Sequence, residues 1–312
     1  MVEPRLSTLK KRGTAIGTIS KKYQLLLLLL PSLIYIIIFH YLPMFGIIIA
    51  FKNYVPHKGI LGSDWVGFEH FATFMQSPMF WRLIKNTLSL SVYSLIAGFP
   101  LPILLALSLN YIKNARFKKT VQTITYAPHF ISVMVLVGML SVFFDKRMGI
   151  FNQFLNLIGH ESIFFLGDEQ WFPHMYVWSG VWQNIGWNSI IYVAALAGID
   201  PSLHEAAIVD GAGILKRIRY IDIPMILPTI ITLFILNMGN LMSMGYEKIL
   251  LMQNAINAGA SEVISTYVYK VGLVNAQYSF SAAIGVFNSV INLILLFTVN
   301  RISKKVQNYG IW

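Results

Sequence analysis

Cysteine and charge are both scarce in this sequence. It contains no cysteine, and only 12% of its 312 residues are charged. The missing cysteine excludes disulfide scaffolds, thiolate metal sites and cysteine nucleophiles. A soluble domain carries about 25% charged residues, whereas this chain is 56% hydrophobic. The composition therefore indicates a membrane protein.

The sequence also lacks the usual motifs of catalysis. No Gly-Lys pair occurs, which excludes the phosphate-binding loop GxxxxGK[ST]. The seven histidines show no HExxH spacing, and there is no Gly-x-Ser-x-Gly elbow. Paired acids and bases, common in proton-coupled carriers, are missing from the apolar stretches. We expect no catalytic residue, no metal and no cofactor in this chain, so any ATP would be hydrolysed by another subunit.

Long apolar stretches dominate the chain instead. A helix needs roughly 20 apolar residues to cross a bilayer. Six stretches qualify, at about Gln24–Ala50, Asn86–Leu109, Val121–Phe144, Met175–Gly198, Ile223–Tyr246 and Ser281–Val299. The predicted fold is all-α, a polytopic membrane protein with six transmembrane helices over residues 24–300. A basic tail (1–23) precedes them and a short tail (301–312) follows. No small-residue cleavage site closes the first stretch, so we expect it to be retained.

The charges predict the orientation. With both termini in the cytoplasm, 16 of the 24 Lys and Arg residues lie inside, and 8 of the 13 acids lie outside. The positive-inside rule thus explains the net charge of +11 with the lipid bilayer as partner and without nucleic acid. Three outer segments remain, the first rich in aromatic residues. The second, over 145–174, contains a short apolar piece that predicts a non-spanning helix.

The cytoplasmic loop between the fourth and fifth stretches, residues 200–224, predicts two short helices. Asp200 before Pro201 is a good helix start, and Ser202 with Glu205 has the spacing of a capping box. The helix should end near Gly211, because glycine readily takes the left-handed conformation that closes a helix. A second helix is expected over 214–220.

The first of these helices would be exposed and suited to a socket on another protein. Its candidate contact residues combine small side chains with two flanking acids: Glu205, Ala206, Ala207, Asp210, Gly211 and Ala212. Taken singly, each residue also has a structural explanation, as a cap, a helix stop or a helix former.

The whole pattern is more specific than its parts. Glu-Ala-Ala at 205–207 is followed after three residues by Gly211, and after nine more by Ile221-x-Ile-Pro224. This resembles the EAA loop of binding-protein-dependent ABC importer permeases, EAA-x3-G-x9-I-x-L-P, with Ile223 in place of leucine. Weaker motifs resemble the carbohydrate-uptake branch and its oligosaccharide and polysaccharide-fragment subgroup: Trp65–Phe68, Asn86-Thr87, Gly149–Asn152, Gly245–Leu251, Ser265–Tyr269 and Tyr309–Trp312.

The resemblance implies a type I importer in a bacterial cytoplasmic membrane. Such an importer has two permease chains, two cytoplasmic ATPase subunits that bind ATP and Mg, and an extracytoplasmic solute-binding protein. The second permease would be a related but different chain, with a homodimer as the alternative. Residues 205–212 would form the coupling helix in an ATPase groove, and the substrate would be an oligosaccharide.

Uncharged polar residues in three stretches predict a path for that substrate. The candidates are Gln183, Asn184, Trp187, Asn188, Asn237, Asn240, Ser243, Asn288 and Asn292. Amides and aromatic faces suit sugar hydroxyls and ring faces, although Asn and Gln also hydrogen-bond between membrane helices. The outer residues Lys52, Lys58, Arg82 and Lys85 leave an anionic oligosaccharide possible.

Other functions remain open at this point. The coupling loop does not identify the solute, so phosphate, a peptide or a compatible solute is an alternative to sugar. A carrier or channel without an ATPase would leave the EAA pattern unexplained. A membrane enzyme is disfavoured because no catalytic constellation is visible.

Overall fold

The computed structural model describes residues 15–307 and residue 310, and these are mostly helical. The start of the predicted basic tail, residues 1–14, lies outside the described residues, as do Tyr309, Ile311 and Trp312 of the closing motif. In the described part, four helices are long and apolar enough to cross a bilayer: Leu26–Phe51, Phe80–Tyr111, Ile214–Gly239 and Tyr278–Lys305. A bent pair of helices makes a fifth if it is counted as one span.

The first membrane helix is composite. α1 (Ala15–Ile36) continues through a π-helical turn (Ile37–Tyr41), α2 (Leu42–Met44) and a 3₁₀ segment (Phe45–Phe51). Large apolar side chains are exposed along most of it, Leu28 by 76%. A helix that is apolar on all sides suits lipid contact.

A small outer unit follows. Strands β1 (Lys52–Asn53) and β2 (Asp64–Trp65) form an antiparallel pair in which Lys52 lies opposite Trp65. This pair is the departure from the predicted all-α class. Three short helical pieces complete the unit: a 3₁₀ turn (Pro56–Lys58), α3 (Gly59–Gly62) and α4 (Glu69–Gln76).

The second membrane helix consists of α5 (Phe80–Gly98) and α6 (Pro100–Tyr111). The helix is interrupted at Phe99, directly before Pro100, because proline has no N–H for the helical hydrogen bond. The helix contains the predicted second stretch and begins six residues before Asn86.

The third stretch is bent rather than straight. α7 (Ala115–Tyr126) and a 3₁₀ turn (Ala127–Phe130) meet α8 (Val133–Phe143) at an angle of 101°. The chain is extended at Ile131, and the Ser132 side chain accepts a hydrogen bond from Val135 N at the start of α8. The prediction of a single continuous helix over 121–144 is therefore corrected.

The central helix is α10 (Trp171–Ala197), preceded by α9 (Ile150–Leu157). α9 confirms the short helix predicted in the second outer segment. α10 contains almost all of the predicted fourth stretch, but it is not one of the four described helices that are long and apolar enough to cross a bilayer. It packs against α5, α6 and α7 and so lies in the middle of the bundle.

The loop over 200–224, predicted to be cytoplasmic, and the next apolar helix are continuous in structure. α11 (Pro201–Val209) is followed by α12 (Ile214–Arg217), a π-helical turn (Ile218–Asp222) and α13 (Ile223–Gly239). The second helix predicted over 214–220 is thus the first part of one longer helix. That helix ends at Gly239, before the predicted Tyr246.

The last third of the chain forms an outer cap and a long helix. The cap consists of α14 (Tyr246–Met252), α15 (Ala258–Ser261), α16 (Ile264–Tyr269) and a π-helical turn (Lys270–Val274). α17 (Tyr278–Gln307) contains the predicted sixth stretch and continues into the predicted C-terminal tail.

Two buried apolar clusters position the regions discussed below. Tyr192, Leu196 and Ile226 join α6, α10 and α13 near the start of α11. Leu90, Phe172 and Ile249 join α5, α10 and α14 at the opposite end of α10. The coupling loop and the outer cap are therefore both anchored on α10.

Candidate functional site: the coupling segment and the central cavity

α11 with Asp210–Gly213, called the coupling segment because the sequence predicts that it contacts an ATPase, begins at a well-formed cap. The Asp200 carboxylate accepts a hydrogen bond from Ser202 N at 2.9 Å, and this bond holds the pKa of Asp200 below its ordinary value. Pro201 occupies the first helical position, where its missing N–H costs nothing. The helix start is confirmed, but the cap is Asp200, so the predicted capping box of Ser202 and Glu205 does not form.

The coupling segment ends in a Schellman motif. Ala212 N donates to Ala207 O at 2.8 Å, and Gly211 N donates to Ile208 O at 3.0 Å. Gly211 has φ +74°, a left-handed conformation that costs an L-residue roughly 1–2 kcal/mol. The predicted end of the helix is confirmed, and the glycine is required by the backbone geometry.

The coupling segment presents an exposed surface that is both acidic and apolar. Glu205, Ala206, Asp210 and Gly211 are exposed, while Ala207 and Ala212 are half-buried. Apolar side chains extend this surface, with these exposures: Leu203 42%, Ile208 56%, Val209 87% and Leu215 81%. A contiguous exposed apolar patch beside charges is typical of a protein-protein interface.

A buried carboxylate fastens the coupling segment to the bundle. Asp222 is fully buried in the π-helical turn before α13. Its Oδ2 accepts a 2.6 Å hydrogen bond from the Tyr111 hydroxyl at the end of α6, and its Oδ1 lies 3.2 Å from His204 Nε2 on α11. The Arg217 guanidinium lies 5.2 Å from the centre of the Tyr111 ring. α6, α11 and the turn before α13 thus meet at the Asp222 side chain.

Sequence reasoning did not select Tyr111, His204 or Asp222. Asp222 is the variable position of the Ile221-x-Ile-Pro224 motif, and an acid at the edge of an apolar span is a signal of a buried partner. Its partners are 18 and 111 residues away in sequence, and no local pattern indicates them.

A cavity of about 470 Å³, lined by both apolar and polar side chains, lies beside α10. Five of the nine predicted path residues line it: Gln183, Asn184, Asn188, Asn237 and Asn240. Ser91 and Ser94 also line it, and their hydroxyl oxygens have no hydrogen-bond partner among the described residues. The wall therefore offers several uncharged polar groups.

The other four predicted path residues lie outside this cavity. Asn292 accepts a hydrogen bond from Met242 N at 2.9 Å and donates one to Ser243 Oγ at 2.7 Å. Asn288 donates to Met242 O at 3.2 Å. These bonds join α17 to the chain after α13, the alternative role of Asn in membranes. Trp187 stacks on His129 with ring centres 4.3 Å apart.

A bundle of long apolar helices that encloses a cavity and presents an exposed, capped helix is typical of a membrane transport protein. The chain belongs to the family of binding-protein-dependent transport system inner membrane components, whose model matches residues 98–308. Members are the permease components of ABC importers, and ATP is hydrolysed by a separate subunit.

Individual relatives are similar over nearly their whole length. The polygalacturonan/rhamnogalacturonan transport system permease protein YteP of Bacillus subtilis (strain 168) is 44% identical over 97% of this chain and 94% of its own. A bacterial ABC transporter that imports the acidic polysaccharide alginate contains a chain 40% identical, with TM-score 0.85, over 93% of this chain and 98% of that one. A bacterial alginate ABC transporter in complex with an alginate pentasaccharide-bound periplasmic protein contains a chain that is 39% identical, with TM-score 0.86. The match covers 95% of this chain and 99% of that one.

Replacing Tyr111 with Phe should loosen the coupling segment. The change removes one donor from a buried carboxylate, at a cost of roughly 1.5–3 kcal/mol. We expect the amides of residues 202–213 to exchange with deuterium about tenfold faster or more, measured by mass spectrometry on purified protein. Tyr220→Phe, at a side chain that is 69% exposed, is the control. Equal exchange in the two variants would contradict the role of Asp222.

Proposed function

We propose that this chain is a permease subunit of an ATP-driven importer for oligosaccharides in a bacterial cytoplasmic membrane. The observation that carries the proposal is the coupling segment, rigid at both ends, exposed on its acidic and apolar surface, and fastened to the bundle by Asp222. The names of the relatives support a saccharide as substrate.

In the proposed topology the chain crosses the membrane six times with both termini inside. The four apolar helices supply four crossings, and the bent pair α7–α8 and the central α10 supply the others. This arrangement places 16 of the 24 basic residues in the cytoplasm, in agreement with the positive-inside rule. The less apolar character of α10 is explained by its position between other helices, where amides face protein rather than lipid.

The proposed complex contains a second, related permease, two ATPase subunits and an extracytoplasmic solute-binding protein. The ATPase subunits would bind ATP and Mg, for which this chain has no phosphate-binding loop. A heterodimer of permeases is proposed, with a homodimer as the alternative. The alginate transporter that binds a sugar-loaded periplasmic protein supports the binding-protein partner.

The geometry accounts for coupling in mechanical terms. A helix held at both ends by hydrogen bonds moves as a body with the socket that contains it. The His204–Asp222–Tyr111 contacts transmit that movement to α13 and α6. Since linkage between sites is reciprocal in free energy, a solute-binding protein docked outside should promote ATPase closure inside.

Gly211→Asp should block transport without preventing membrane insertion. The variant requires an Asp at φ +74°, which disturbs the end of the coupling segment and costs roughly 1–2 kcal/mol. Gly213→Asp is the matched control, because Gly213 has φ −69° at the N-cap of α12, where Asp is favourable. Glu205→Lys should also block transport, through the reversed charge. The measurements are uptake and membrane abundance in cells without another copy of the permease, and normal uptake by Gly211→Asp would refute the assignment.

The cavity beside α10 is proposed as part of the substrate path. Uncharged amides and hydroxyls can exchange hydrogen bonds with sugar hydroxyls without binding them tightly. Trp187, Ser243, Asn288 and Asn292 are not placed in this part of the path, since they lie outside the cavity.

Asn188→Leu should lower uptake more than it lowers ATPase activity stimulated by the binding protein. Asn188 lines the cavity and is exposed, so leucine removes a polar contact with the substrate and keeps the packing. We expect a loss of about tenfold, the equivalent of one or two hydrogen bonds. Asn188→Gln should retain most of the uptake because it keeps an amide in the wall. Unchanged uptake in Asn188→Leu would exclude this residue from the path.

The proposal as a whole is tested by purifying the tagged chain from its native membrane in mild detergent and counting the co-purifying subunits. A related permease and two ATPase copies per complex are expected. Recovery of the chain alone, still moving solute in liposomes without ATP, would overturn the proposal in favour of a carrier. Co-purification with a binding protein that holds a non-sugar solute would correct the substrate only.

A further inference from the structure

The cavity beside α10 contains one charged side chain among its lining residues. Lys248, on α14, lies in a wall that is otherwise formed by apolar and uncharged polar side chains. Its ammonium donates a hydrogen bond to Tyr176 O at 2.9 Å and lies 4.8 Å from the centre of the Tyr176 ring. Gly180 permits this close approach, because a Cβ at that position would lie 3.3 Å from the Lys248 nitrogen.

No carboxylate in the described part of the chain lies within 4.0 Å of this ammonium. Lys270, in the same outer cap, differs: it is 3.1 Å from a Glu262 oxygen and donates to Gln253 Oε1 at 2.6 Å. Lys248 therefore has an acceptor for one of its three N–H donors and no counter-ion among the described residues.

Three of the four outer basic residues that the sequence suggests for an anion are already engaged. Lys52 donates to the carbonyls of Ile60 and Leu61, Lys58 lies 3.7 Å from Asp64, and Arg82 pairs with Glu262 at 3.2 Å. These contacts bind the outer segments to one another. The fourth, Lys85, is exposed and does not line the cavity, whereas Lys248 does.

Burial lowers the pKa of Lys248 to about 8, so most of the side chain is protonated at pH 7. A partly buried ammonium without a counter-ion is unfavourable for the folded protein alone. A desolvated ionisable group that lines a cleft is a candidate for a functional site. An incoming anion would supply the missing charge.

We propose that Lys248 is a substrate-binding residue for the carboxylates of an acidic oligosaccharide, so that the transported class is oligouronate-like rather than neutral. This inference rests on the proposed importer function. The uncharged wall would contact hydroxyls, Tyr176 and Phe99 would offer ring faces, and Lys248 would pair with one carboxylate at a time. A single cation suits transport, since a transit site must bind strongly enough to admit the substrate and weakly enough to release it.

The test uses the complete importer in proteoliposomes with its binding protein, and trigalacturonate as the probe. Lys248→Gln should lower ATP-dependent uptake about tenfold, the loss expected for one charge-assisted contact, while stimulation of the ATPase by the binding protein is retained. Lys248→Arg should recover most of the uptake because it restores the positive charge. Lys146→Gln, at an exposed lysine of another outer segment that does not line the cavity, is the matched control.

Three results would overturn the assignment. If Lys248→Gln lost thermal stability and ATPase stimulation as well as uptake, Lys248 would only stabilise the packing of α14 against α10. Equal uptake by Lys248→Gln and the wild type would exclude it from the path. Transport of neutral galactotriose but not of trigalacturonate would refute the acidic substrate class while leaving an ATP-driven sugar importer in place. Only uptake without ATP, or absence of the ATPase from the complex, would refute the proposed function itself.

Discussion

A single buried carboxylate connects three elements of this molecule. Asp222 has no exposed surface, and its two oxygens face Tyr111 on the second membrane helix and His204 on the coupling segment. Removing a charge from water is expensive unless its partners are well placed. The 2.6 Å hydrogen bond from Tyr111 holds this carboxylate, and the 3.2 Å contact with His204 brings α11 next to it, although Asp222 Oδ1 has no hydrogen-bond partner among the described residues.

The central helix α10 also determines how the helices of the bundle pack together. It packs against α5, α6, α7 and α13, and its polar residues line the cavity instead of facing lipid. Gln183, Asn184 and Asn188 lie on one side of α10, and the neighbouring segment supplies hydrogen-bond partners for two of them: Gln183 donates to Ile131 O and Asn184 accepts from His129. Ile131, the extended residue at the bend of the third stretch, thus provides a hydrogen-bond acceptor for α10.

Local features of the coupling loop were predictable from the sequence because their physical causes are local. The Asp200–Pro201 start and the glycine stop at Gly211 each depend on residues within one helical turn, and both are confirmed by hydrogen bonds. The capping box failed because Asp200, not Ser202, is the residue outside the helix. The bend of the third stretch was missed, since apolar composition alone does not distinguish one straight helix from two short ones.

The sequence by itself determined that this is a membrane protein, which stretches are apolar, how the charges are distributed and where α11 begins and ends, because each follows from composition or local hydrogen bonding. Only the tertiary structure decided which polar residues meet. It brought five predicted path residues and Lys248 to one cavity, assigned Asn288 and Asn292 to helix contacts, and joined Tyr111, His204 and Asp222. These groupings depend on how each helix is rotated and packed against helices that are far away in sequence. The pattern of residues within a single helix therefore does not predict them.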